Sequence, residues 1–141
     1  MARLITAGKK AQHTAKWART MTKWLITWSR RRSVRWNIVE FGGATGSESR
    51  GIVDLLAIRK DHRSSGNGLK SGDLFDMVLI QTKGGAARNP SNMDIKRLLK
   101  VAAHHRASAV ILAIWKKGTS PVFLLLIGQK WKRVDSADIF G

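Results

Sequence analysis

Two runs near the C-terminal end constrain the fold most: AVILAIWK from Ala109 and PVFLLLIG from Pro121, joined by KKGTS. Neither alternates apolar with polar residues. A strand that is apolar on both sides must be covered on both faces, as in a sheet sandwiched between helices. The expected class is therefore α/β.

The rest of the chain supplies the other layers. VRWNIVEF (Val34–Phe41), GIVDLLAIRK (Gly51–Lys60) and about Leu74–Thr82 are β-branched or aliphatic runs bounded by loops, and each reads as a strand. A polar stretch from Asp61 to Gly72, rich in Ser, Gly and Asn, is long for a hairpin loop. Helical periodicity covers about Ala11–Arg32. It returns after Ser91 or Asn92, either of which is a good N-cap, with Asp94 in the first turn. The expected order is αβββαββ, a central mixed sheet of about five strands flanked by helices. One domain spans 1–141: a basic amphipathic N-terminal helix (1–33), a core of sheet and helix (34–128) and a basic tail (129–141).

In the first helix Trp17, Met21, Trp24, Leu25 and Trp28 fall on one stripe, with Lys16, Arg19, Lys23 and Arg30–Arg31–Arg32 off or beyond it. The expectation is that the tryptophans pack on the core, because stacking on bases would need them exposed. His104 and His105 end the second helix. Neighbours on a helix point about 100° apart, so they complement the helix dipole rather than chelate one ion.

Two strands carry polar residues where aliphatic ones are expected. Asp54 interrupts GIVDLLAI, and Gln81 and Lys83 end LIQTK, two apart and so on one face. A carboxylate and an amide oxygen can hold Mg²⁺ (or Mn²⁺), and a lysine beside them can orient water or offset developing negative charge. That set suits phosphodiester chemistry. The alternative is an Asp satisfied by local partners and a Lys at a strand end. Asp73 and Asp76, at the start of the third strand, read as structural.

Composition agrees with an anionic partner. There are 26 Lys and Arg against 9 Asp and Glu, a net charge of +17, and 43% hydrophobic residues support a packed core. Nucleic acid is the first candidate partner and an anionic membrane surface the second. No run approaches ~18 apolar residues, so no membrane-spanning helix is expected. The absence of cysteine fits a reducing compartment, and with a nucleic-acid partner the expected setting is cytoplasmic and nucleoid-associated. Residues 1–39 hold no acid and are rich in Lys, Arg, Ser and Thr, which also resembles an organellar transit peptide.

An acidic residue in one strand, then Gln81-x-Lys83 in the next, within this element order, resembles the PD-(D/E)XK, restriction-endonuclease-like nucleases. The chain is most similar to their small Holliday junction resolvase-like members. GIVDLLAI stands at their G-x-PD-apolar segment and LIQTKGG at their IEVK segment. MDIKRLLKVAAHHRA followed by AVILAIW stands at their next helix and strand. The likeness runs from about Arg35 to Ile127. Val53 replaces the proline, and Gln81 replaces the glutamate, leaving the site one carboxylate short. No acid precedes Glu40, so the glutamate the family carries on its first helix is absent. Glu40 is the best substitute and Glu48 the next.

The resemblance implies a Mg²⁺- or Mn²⁺-dependent endonuclease on branched or duplex DNA, in recombination or repair. Asp54, Gln81 and Glu40 would hold metal, and Lys83 would serve the attacking water. Arg30, Arg31, Arg32, Arg88, Lys96 and Lys100 would contact phosphates. Branched substrates favour a symmetric homodimer. The alternatives are a non-catalytic nucleic-acid-binding protein on the same fold, or a basic ribosome-associated or membrane-surface protein.

Overall fold

The structure, a computed structural model, describes residues 7–29, 35–41, 51–63, 66–85 and 88–141. Arg30, Arg31, Arg32 and Glu48 lie outside the described residues. Among them the order is α1 (Ala7–Trp28), β1 (Asn37–Glu40), β2 (Leu55–Asp61), β3 (Leu74–Gly84), α2 (Asn92–His105), β4 (Ala109–Trp115), β5 (Val122–Ile127), β6 (Lys130–Val134) and α3 (Ser136–Phe140). The strands form one mixed sheet in sequence order, β1 to β6. Only β3 and β4 run parallel, linked by α2; every other neighbouring pair is antiparallel. The α/β class and the order through β5 agree with expectation. The sheet gains a sixth strand and a third helix from the segment read as a basic tail.

Each face of the sheet buries its own cluster. Leu55, Ala57, Val78, Ile80, Ile111, Ala113 and Phe123 meet Ile26 of α1, Trp36 and Phe140 of α3. On the other side Ile52, Leu79 and Val110 meet Leu98 of α2. Strand alternation explains the division, since odd and even residues of β3 point to opposite faces. The apolar runs of β3 and β4 are apolar on both sides because both sides are covered.

The tryptophan stripe is placed differently from expectation. α1 turns Ala18, Arg19, Thr22 and Ile26 inward and leaves Trp17, Trp24 and Trp28 exposed. The reason is close approach. A Cβ built on Gly84 would lie 3.2 Å from Ala18 Cβ and 3.1 Å from the Thr14 carbonyl oxygen, so the helix all but touches the β3 backbone. Small residues permit that distance; indoles on the same side would hold the helix off the sheet.

Ser91 caps α2 with a full capping box: its hydroxyl accepts from the Asp94 N–H, and the Asp94 carboxylate accepts from the Ser91 N–H. The tail is structural because Phe140 is fully buried, edge-on to both Trp36 and Phe123. Trp36 also donates its indole N–H to the Phe140 carbonyl at 3.1 Å. Asp76 and Asp73 are structural, as expected. Asp76 pairs with Arg59 and accepts from the Ser108 hydroxyl, and Asp73 accepts from the Lys70 N–H. No described helix is long and apolar enough to cross a membrane.

Candidate metal centre at the divergence of β2 and β3

The β2–β3 ladder ends at the Leu55–Ile80 pair, whereas β3 continues beside β4 as far as Gly84–Trp115. Beyond Ile80, one side of β3 therefore has no strand neighbour in β2. Asp54 stands at that point. Its N–H donates to the Ile80 carbonyl at 2.9 Å and its carbonyl accepts the Phe41 N–H, holding the residue to both adjacent strands. Its carboxylate reaches into the gap, where Oδ2 accepts the Thr82 N–H at 2.7 Å and the Thr82 hydroxyl at 3.3 Å. A side chain thus takes a bond that a continuing strand would have made.

Burial pushes the Asp54 carboxyl above its ordinary value. The Thr82 bonds and the positive charges of Lys83 and Arg19 oppose that shift without overcoming it. A divalent cation here would favour the ionised form.

Gln81 sits one step past Ile80, with its side chain on the α2 side by strand parity with Leu79. It is buried, and its Oε1 has no hydrogen-bond partner among the described residues. A buried carbonyl oxygen left unpaired is costly unless something outside the protein satisfies it. Lys83 follows on the same face, half-buried, and its charge is felt by both Asp54 and Asp94 at the start of α2. The structure therefore brings Asp54, Gln81 and Lys83 to one end of the sheet.

Glu40 is placed elsewhere. It pairs with Leu55, which pairs with Ile80, so by register its side chain lies on the α1 face, opposite Gln81. Both its oxygens are engaged, Oε1 by Arg19 Nε at 2.7 Å and Oε2 by Lys23 Nζ at 2.6 Å. Burial works against its ionisation, but these two cations outweigh it and hold the carboxyl below its ordinary value. Arg19, almost fully buried, also acts on Asp54 and so links the two acids electrostatically. Sequence reasoning missed this role for Arg19. The available signal was a cation two residues from Trp17 on a helix that has no acid to pair with it.

Arg88, Lys96 and Lys100 are exposed. Lys96 and Lys100 lie one turn apart on α2, on the same side of the sheet as Gln81. They face outward from α2, on the side opposite the buried Leu98.

Among the described residues no group of three or more His, Cys, Asp or Glu gathers to hold a metal. The donor set is one carboxylate and one amide oxygen. This fits a hard cation such as Mg²⁺, which commonly takes one or two carboxylates, keeps several waters and shares substrate phosphates. The unpaired Gln81 oxygen is consistent with that fit. On the α2 face a cleft of about 560 Å³ is lined mainly by Ile52, Val53, Leu56, Leu79 and Val101, extends toward Met77 and His105, and is lined by none of the three residues. Comparison with family models, curated proteins and solved structures finds no match for the chain.

Proposed function

We propose that the chain is a metal-dependent DNA endonuclease, hydrolysing phosphodiester bonds in branched or otherwise structured DNA. The observation that carries the reading is the unpaired, buried Oε1 of Gln81 at the end of the sheet where β2 leaves β3, with Asp54 at the fork and Lys83 two residues on. Asp54 supplies the anionic ligand, held in orientation by the Thr82 N–H. Gln81 supplies a neutral oxygen. A bound Mg²⁺ would polarise the scissile phosphate and make water a better nucleophile. Lys83 orients the attacking water and offsets charge building on the phosphate. Arg88, Lys96 and Lys100 hold the backbone without reading sequence. The net charge of +17 supports a polyanionic substrate.

The second reading is a non-catalytic nucleic-acid-binding protein. It draws on the thin ligand set, with an amide where a second carboxylate would serve better. Incubating a labelled four-way junction and a linear duplex with Mg²⁺ separates the two. The nuclease reading expects junction cleavage that chelator abolishes and Asp54→Ala loses. Cleavage undiminished in Asp54→Ala refutes the site, and tight junction binding without cleavage selects the binding protein.

A further inference from the structure

The exposed face of α1 has no role in that reading. Trp17, Trp24 and Trp28 are 55%, 59% and 81% exposed. At 100° per residue they fall within a sector of about 40°, and the helical rise sets them about 10 and 6 Å apart along one line. The same helix turns Ile26 into the core and packs the edge of Leu25 against it, while Met21 stays half-buried beside the rings. What remains outside is indole, interrupted by His13 and Thr20 and flanked by exposed Lys10 and Lys16, with no acidic residue in the helix.

Three partners can cover a face of this kind, and the chemistry separates them. A second copy would bring another +17 chain and another acid-free helix against this one. A lipid surface is entered by aliphatic as well as aromatic side chains, and here Ile26 is buried and Leu25 is packed against the core, leaving the half-buried Met21 as the one aliphatic beside the rings. A single-stranded polyanion with flat apolar bases matches both the rings and the cations beside them.

We infer that the outer face of α1 is a stacking platform for unpaired nucleotides. Bases lie on Trp17, Trp24 and Trp28, and Lys10 and Lys16 hold the flanking phosphates. This rests on the nucleic-acid part of the proposed function and not on the Asp54 site.

The test is fluorescence anisotropy of a labelled oligo-dT of about 20 nucleotides, with a duplex of equal length and a four-way junction as controls. Trp24→Ala and Trp28→Ala are each expected to weaken oligo-dT binding by about 5-fold or more, with duplex binding changed far less. Trp24→Phe should recover most of the loss. The slope of affinity against salt should stay the same, because phosphate contacts are untouched. Because the rings are exposed, the Ala variants should melt with the parent.

Equal oligo-dT affinity in the Trp24→Ala/Trp28→Ala double variant overturns the platform, even where the parent binds and cuts junctions. So does a double variant that loses only co-sedimentation with phosphatidylglycerol vesicles, or only self-association in sedimentation. A parent that binds neither oligo-dT nor junction overturns the nucleic-acid reading itself.

Discussion

The Asp54 carboxylate accepts the Thr82 main-chain N–H at 2.7 Å, at the step where β2 ceases to pair with β3. One side chain thereby stands in for a strand and presents a buried charge at the fork. Burial holds its folded-state pKa above the ordinary 3.8, with Thr82, Lys83 and Arg19 opposing. The folded protein then binds a proton at a pH where the unfolded chain has released it. Stability falls as pH rises from about 3.8 through the folded value and is level above. Asp54→Asn keeps an acceptor for Thr82 and removes the charge. Without metal it should melt above the parent at neutral pH, with the gap closing as pH is lowered through that window. Thermal melts across pH check this, and a variant that melts lower at pH 7 contradicts it.

Glu40→Gln should behave in the opposite way. The Glu40 carboxyl is held below its ordinary 4.5, so its contribution is present above that value and lost as pH falls through the folded one. Removing it leaves the Arg19 guanidinium buried and unpaired. The cost at neutral pH should be about 2–3 kcal/mol, somewhat below that of a fully buried pair. Denaturant unfolding at neutral and acid pH measures it. Mn²⁺ affinity should be unchanged, because both Glu40 oxygens are already taken on the far face; a large loss of affinity would return Glu40 to the ligand set.

Gln81→Glu adds a carboxylate where the amide oxygen lacks a partner. Mn²⁺ affinity should rise by about tenfold or more, the least expected of one further charge near a divalent ion. Calorimetric titration of parent and variant checks it. No change would place the metal, if bound at all, away from Gln81.

Gly84→Ala should destabilise by about 1–3 kcal/mol. The new Cβ would meet Thr14 Cγ2 at 2.9 Å and the Thr14 carbonyl oxygen at 3.1 Å, and the latter is backbone. A loss this size, read from denaturant melts, supports the close α1–β3 packing that turns the tryptophans outward. A neutral substitution would argue that α1 sits further from the sheet.

The layers were legible because the strongest signals were local. The apolar run after Ala109 is a strand covered on both faces. The run after Pro121 is a strand whose Leu124 and Leu126 are only half-buried and whose Ile127 is exposed. Ser91 with Asp94 marked the start of α2. The last strand and helix were not legible. KWKRV carries three cations, and Phe140 is a lone aromatic whose burial depends on Trp36, a hundred residues earlier in the chain. The tryptophans were misplaced because hydrophobicity alone sends indoles inward, whereas the space above Gly84 admits only small side chains. In the candidate site, spacing located Asp54, Gln81 and Lys83 at one end of two strands. The face taken by Glu40 depends on the β1–β2 register, which a sequence does not display.

The central claim is that Asp54 and Gln81 together hold a divalent cation, and anomalous diffraction from crystals soaked in Mn²⁺ tests it most directly. The account predicts a peak within about 2.0–2.6 Å of both an Asp54 carboxylate oxygen and Gln81 Oε1, with Lys83 beside it. A peak on Glu40 with none at Asp54, or no peak at the fork at saturating Mn²⁺, would contradict it.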